Sequence, residues 1–226
     1  MRPVAAVQSR TEQVYDMIRD SICTGELASG THLVQEELAS TLGVSRQPIQ
    51  QAMLLLKNDG LVVELGARGL YVAPLDAGAV IHHYQIRVAL DQLAAQLICQ
   101  RIAHAPDFSE ELRRRAEPIL AEGEAARSNG SAPLAVSHDV KFHSFLYEMS
   151  GNPFIASTAE PHWNYLRRVM IAVLLHAERG EIVWQQHRDI LAVLLSGDAD
   201  ASAAAVKDHV LGAQTALLHA MDARHL

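Results

Sequence analysis

The sequence predicts a mainly α-helical chain in two parts. Residues 1–75 form an N-terminal winged helix-turn-helix domain, and residues 76–226 form a C-terminal all-α bundle of six helices. Three observations carry this. Apolar residues recur at three- and four-residue spacing through most of the chain, the period of a half-buried helix. Ala and Leu are abundant while aromatics make up only 5% of residues, a balance that favours packed helices over sheets. A strand–glycine–strand pattern appears at residues 62–72, and beyond it the pattern is helical throughout.

In chain order, residues 11–24 (TEQVYDMIRDSICT) place Val14, Ile18 and Ile22 on one stripe of an amphipathic helix. Gly25 and Gly30 bracket a loop, and Leu33 begins the next element. Glu36, Glu37, Leu38, Ala39 and Leu42 make a short helix that Gly43 stops. Ser45 is a good N-cap for a third helix, with Arg46, Gln47 and Gln50 in its first turns. That layout is a helix-turn-helix, whose second helix enters the DNA major groove N-terminus first. Val62, Val63 and Leu65, a glycine tip at Gly66 and Gly69, then Leu70, Tyr71 and Val72 read as a two-stranded wing. Arg68 sits at the tip.

The wing ends at Pro74, and Leu75-Asp76-Ala77-Gly78 is a short polar connection that marks the domain boundary. Helices are expected over 77–103, 108–127, 132–150, 154–178, 181–196 and 199–222. Pro106, Gly130 with Pro133, Gly151-Asn152-Pro153, Gly180 and Gly197-Asp198 separate them. Pro118 and Gly123 make the second of these the least regular.

The formal net charge is −7, and acidic residues outnumber basic ones in the first 75 as well. DNA affinity must therefore come from a local basic stripe, from backbone N–H groups at helix N-termini and from dimerisation. No run of about 18 apolar residues suggests a membrane span. The first ten residues, MRPVAAVQSR, lack an apolar signal core. A cytoplasmic location is expected, with Cys23 and Cys99 as small buried thiols rather than a disulfide.

Four polar residues fall on the apolar side of their helices. Asp139 and His143 are neighbours at four-residue spacing, on a face shared with Val136, Val140 and Leu146. His187 projects among Val183, Trp184, Ile190 and Leu191, and His209 among Ala205, Val206 and Ala213. Burying a carboxylate and three imidazoles is costly unless they are paired. A divalent metal resolves that cost, and this donor set suits zinc first, or nickel or another transition metal. The alternative is a hydrogen-bonded core cluster.

The chain resembles bacterial GntR-superfamily transcription regulators of the FadR type, with an FCD effector domain. In the first half the resemblance rests on Leu38-Ala39, Leu42-Gly43-Val44-Ser45-Arg46, Pro48 and Leu56-x-x-Asp59-Gly60-Leu61-Val62. In the second it rests on Arg87-x-x-Leu90-Asp91, Asp139-x-x-Phe142-His143, Ser150-Gly151-Asn152, His187-Arg188-x-Ile190 and His209. It implies that Asp139, His143, His187 and His209 hold a metal beside a small organic acid, and that six effector-domain helices place the chain nearer the VanR subgroup. Gln50 stands where similar recognition helices often carry a second arginine; glutamine suits adenine where arginine suits guanine.

The function so implied is a ligand-responsive transcription regulator, a repressor, acting as a homodimer on a palindromic double-stranded operator. Ser45, Arg46, Gln47, Gln50 and Arg68 would meet the DNA. Arg87 would clamp the carboxylate effector, with Arg168, Tyr165 and Asn164 as polar wall. For Arg87 the plainer role is an intrahelical pair with Asp91. The rival reading is a metal-dependent hydrolase or isomerase using the Asp/His3 site to activate water, and a third is a metal sensor.

Overall fold

The computed structural model describes residues 9–66, 69–105, 107–128, 131–174 and 180–223. The chain divides into two compact units, Met1–Leu75 and Asp76–Leu226.

In the first unit α1 (Arg10–Thr24) begins at a capping box, in which Ser9 and Glu12 satisfy each other's backbone N–H groups. It ends at Gly25, whose φ of 83° is a left-handed turn that glycine adopts without strain. Val14, Ile18 and Ile22 point inward as the periodicity requires, onto Ile49, Ala52, Met53 and Leu56 of α3 (Arg46–Asn58). Between them lies α2 (Gln35–Leu42), closed by Gly43 at φ 64°. Two further ties hold α1 to α3: Thr11 Oγ1 donates to Gln51 Oε1 at 2.6 Å, and the Tyr15 hydroxyl donates to Asp59, just past the end of α3.

The wing is β1 (Val62–Glu64) antiparallel to β2 (Leu70–Val72), with Val63 opposite Tyr71. Leu65 was expected in the strand. It instead closes the wing loop through its N–H to the Gly69 carbonyl at 3.1 Å, and its side chain is exposed. The segment read as a plain loop adds to the sheet. Leu33 N–H bonds Leu70 O at 2.8 Å, and Val72 N–H bonds Thr31 O at 2.9 Å. These bonds use only backbone, so the side-chain sequence Gly30-Thr31-His32-Leu33 carries no alternation to betray them.

The second unit comprises, among the described residues, α4 (Ala77–His104), α5 (Phe108–Ser128), α6 (Ala132–Ser150), α7 (Pro153–Leu174), α8 (Gly180–Leu195) and α9 (Ala199–Asp222). The helix α4 is the spine, packed on α6, α7 and α9, while α5 lies against α6 and α8. Asp76 caps α4 by accepting from Ala79 N–H. Gly180, read as a separator, is the first residue of α8; a helix terminus tolerates glycine. Residues 175–178, expected at the end of the fourth effector-domain helix, lie outside the described residues.

Helix α5 runs unbroken past Pro118 and Gly123. Gly123 is there for close approach: a Cβ at this position would lie 1.9 Å from Trp184 Cη2. The missing side chain lets the α8 indole lie against α5, and Trp184 in turn meets His187 edge-on at 4.8 Å. Gly123→Ala should therefore cost about 1–3 kcal/mol of stability by overpacking. Chemical denaturation of parent and variant measures it; an unchanged midpoint would show that the indole has room to move.

Candidate functional site

On the DNA-reading face, Ser45 occupies the N-cap of α3 in extended conformation, but its side chain makes no capping bond. The expected cap is thus positional only, and the hydroxyl remains exposed along with Arg46, Gln47 and Gln50. Arg46 is paired with Glu36 of α2, both side chains being well exposed. Lys57, about three turns further along the same side of α3, meets Glu64 of the wing at 2.6 Å. The basic groups of this face are therefore already engaged with acids of the same unit, which fits the absence of a basic excess in the sequence. Arg68 lies outside the described residues.

In the bundle, α6 supplies Asp139 and His143 from successive turns, α8 supplies His187 and α9 supplies His209. Their ligand atoms all lie within 4.8 Å of one another, and all four residues are buried. His187 Nε2 is 3.3 Å from Asp139 Oδ1 and 3.2 Å from His209 Nε2, which is 3.3 Å from His143 Nε2. So three imidazoles turn the same nitrogen toward one point beside a carboxylate.

Two of the three outward nitrogens have an oxygen beside them, while His187 Nδ1 is buried without a hydrogen bond. His143 Nδ1 is 3.0 Å from Asp91 Oδ2 on α4, and His209 Nδ1 is 3.0 Å from Gln186 Oε1 on α8. A ring that gives its Nδ1 proton to an oxygen, as His209 does to Gln186, presents a bare lone pair at Nε2. Asp139 Oδ2 is buried without a hydrogen bond. A cation at the point of convergence would satisfy that oxygen and take the place of the close imidazole–imidazole contacts, so the donor set fits a divalent transition metal. Burial opposes charge on Asp139, but the hydrogen bond from His187 and the nearby His143 and Arg87 outweigh it and hold the carboxyl well below the usual range. Burial likewise pushes His187 down to about 4 and His209 well below its ordinary value, so both are neutral, as ligands must be.

Arg87 of α4 is 2% exposed and reaches this cluster. Its Nη2 is 2.7 Å from His143 Nε2 and 3.9 Å from Asp139 Oδ2, and its Nε is 3.6 Å from Asp91 Oδ2. Both readings of Arg87 therefore hold in geometry: it pairs within its helix and also faces the ligand set. Its guanidinium lies 4.1 Å over the Trp163 ring of α7. Asn164 and Arg168 are buried on α7. The Tyr165 hydroxyl, expected in the effector wall, is committed elsewhere, bonded to the main-chain N–H and C=O of Asp76 at 3.3 Å each. Its ring stacks on His83 at 4.2 Å.

Sequence reasoning had Asp91 only as a partner for Arg87, and it passed over Gln186, Tyr147 and Trp163. Asp91 carried a signal, an acid one turn beyond an inward arginine. Gln186 carried none, because a polar residue beside His187 looks like any solvent-facing position.

A winged helix-turn-helix joined to a helical bundle with an inward ligand set is the architecture of a DNA-binding transcriptional regulator. The description "Bacterial regulatory proteins, gntR family" matches residues 10–72, and "FCD domain" matches residues 82–212. The chain belongs to the gntR family of bacterial regulatory proteins and carries an FCD effector domain. It is 30% identical over 200 residues to the HTH-type transcriptional regulator YdhC of Bacillus subtilis (strain 168), covering 88% of this chain and 85% of that one. It is 26% identical over 203 residues to the HTH-type transcriptional repressor RspR of Escherichia coli (strain K12), covering 90% and 86%. Among solved structures, E. coli McbR/YncC shares the fold with a TM-score of 0.76 at 20% identity, covering 94% of this chain and 99% of that one. The two sequence relatives and both domains are those of transcriptional regulators, so the chain is a regulator and not an enzyme. No described helix is long and apolar enough to cross a membrane.

Burial, aided by the neighbouring His162 and His82, pushes His83 down to about 4. Below pH 6.5 the unfolded chain takes up a proton that folded His83 refuses, so stability falls as pH drops from about 6.5 toward 4. His83 is half-buried, so the loss it contributes should be at most about 1 kcal/mol after solvent screening. Thermal melts from pH 7 to pH 4 should show a shallower fall for His83→Phe, which keeps the stack on Tyr165. Parallel curves for the two proteins would contradict it.

Proposed function

We propose that the chain is a ligand-responsive repressor that binds a palindromic operator as a homodimer through residues 1–75. Residues 76–226 hold a divalent metal, zinc first, together with a small carboxylic acid effector. The observation that carries the metal reading is the convergence of three imidazole Nε2 atoms and the Asp139 carboxylate on one buried point. The repressor reading is supported by the name of the Escherichia coli relative. Six effector-domain helices among the described residues favour the VanR-like subgroup. The metal polarises the site toward anions, because a divalent cation dominates the field around it. Arg87, 2.7 Å from His143 Nε2, supplies further positive charge there, and Arg168, buried on α7, is the second choice for the acid's far end.

For the dimer, α4 exposes Ile86 and Leu93, seven residues apart, with His82 and Ala89 exposed on the same stripe. That heptad spacing suits a helix-on-helix contact between two copies. Two copies are needed because one recognition helix spans only a few base pairs. Ser45, Arg46, Gln47 and Gln50 are exposed at the start of α3 and meet the operator there.

Two experiments test this reading. Elemental analysis of protein purified without chelator should find about one divalent metal per chain, and His187→Ala should lose it and melt lower, since buried ligands then lack their partner. Metal-free parent protein with an unaltered melt in the variant would leave a hydrogen-bonded cluster instead. On DNA, Arg46→Ala should weaken operator binding by about 1–3 kcal/mol. Glu36→Gln should strengthen it several-fold, because Arg46 is released from its acid and a negative charge leaves the phosphate-facing surface. Glu36→Gln protein that binds no tighter at any salt concentration would show that Arg46 is not held back by Glu36.

A further inference from the structure

The geometry points to Arg87 as an internal cation that competes with the metal for His143, so that metal and carboxylate bind cooperatively. The inference rests on the metal reading above and deepens it.

His143 Nε2 is the lone pair that a metal would take, since Nδ1 faces Asp91 Oδ2 at 3.0 Å. That same Nε2 accepts from Arg87 Nη2 at 2.7 Å. One lone pair serves one partner at a time. A metal on His143 must therefore displace the guanidinium, and Arg87 Nη2 then loses its acceptor inside the protein. Arg87 Nε and Nη1 are already buried without hydrogen bonds. The displaced group is thus a buried guanidinium with few acceptors, beside a new divalent charge. Both facts are unfavourable, and both are relieved by an anionic oxygen bound between metal and guanidinium.

Counting charge gives the same order of events. Arg87 is one positive group; Asp91 and Asp139 are two negative ones, at 3.6 and 3.9 Å from it. With neutral imidazoles the buried cluster carries one net negative charge, which attracts a cation. A divalent ion turns it to one net positive charge, and a single carboxylate restores neutrality. The site accordingly favours a monocarboxylate head group over a phosphate or sulfate dianion at the same position. Trp163, 4.1 Å under the guanidinium, holds Arg87 in its plane and leaves sliding along the ring as the available motion. By linkage, whatever factor the acid adds to metal affinity, the metal adds to acid affinity.

The test measures zinc affinity of the full chain by competition with a chelating dye, in carboxylate-free buffer and then with acetate. Acetate should tighten zinc binding by the parent about tenfold. Arg87→Gln should bind zinc about tenfold tighter than the parent without acetate, because the competing cation is gone, and acetate should then add little. Acetate that leaves the parent unchanged, acetate that helps parent and variant equally, or Arg87→Gln that binds zinc no tighter overturns the inference while the metal site stands. A parent that binds no zinc overturns the metal reading itself, and this inference with it. The acetate comparison on the parent needs no variant, so misfolding of Arg87→Gln does not spoil the test.

Discussion

The polar interior of the bundle is organised around one carboxylate, Asp91, which has no exposure. It accepts a hydrogen bond from the Tyr147 hydroxyl, lies 3.0 Å from His143 Nδ1 and faces Arg87 Nε at 3.6 Å. An unpaired carboxylate at this depth costs several kcal/mol, so α4 and α6 must meet in the register that supplies those partners. Burial and the Asp91 charge push the Tyr147 phenol far up, so it keeps its proton and donates. Trp163 Nε1 donates to the same hydroxyl at 3.3 Å, which draws α7 into the set. The contacts that fix three helices thus also fix the orientation of His143 and the reach of Arg87. Fold and site are here one set of bonds.

Much of this was legible in the sequence because helical period and inward polarity are both local signals. Asp139, His143, His187 and His209 stood out as polar residues on apolar faces, and those faces do meet. What periodicity cannot carry is the ring of partners behind them. Gln186 lies beside His187 and reads as a solvent-facing residue, yet its amide oxygen turns back to His209 Nδ1. Tyr165 shows the opposite failure: its position on α7 suggested a wall residue, but its hydroxyl is occupied by the main chain of Asp76. Gly123 read as a weakness in α5 because glycine is a poor helix former. Its reason is tertiary, the indole of Trp184, and no local pattern encodes a contact between distant helices. The same holds for Leu33 and Thr31 joining the wing through backbone alone.

The DNA-reading unit solves a different problem. Its recognition face is not basic, and its exposed cation Arg46 is paired with Glu36. An exposed pair of this kind is worth at most about 1 kcal/mol, so phosphates can replace the acid at little cost. What the pair does is lower the attraction for any DNA, since a weaker phosphate contribution reduces non-specific binding first. In the proposed operator complex, sequence-dependent contacts from Gln47 and Gln50, together with the doubling that a symmetric dimer brings, would then weigh more in the total.

The helix α4 gives the effector unit a direct mechanical handle. It starts at the domain boundary, is capped by Asp76, and carries Arg87 and Asp91 further along the same rigid element. At 1.5 Å per residue, Arg87 is roughly 16 Å from that start, within the span that a helix transmits without bending. Asp76 is also where the Tyr165 hydroxyl holds the main chain, so α7 and the first turn of α4 move together or must break two hydrogen bonds. A ligand changes operator affinity only if it binds two arrangements of this spine unequally. Arg87 has two sets of partners available, His143 and Asp139 on one side and an incoming anion on the other, while Trp163 keeps it in contact with α7 throughout. On the proposed reading the two-state element is therefore Arg87 itself, set on the helix that begins at the domain boundary.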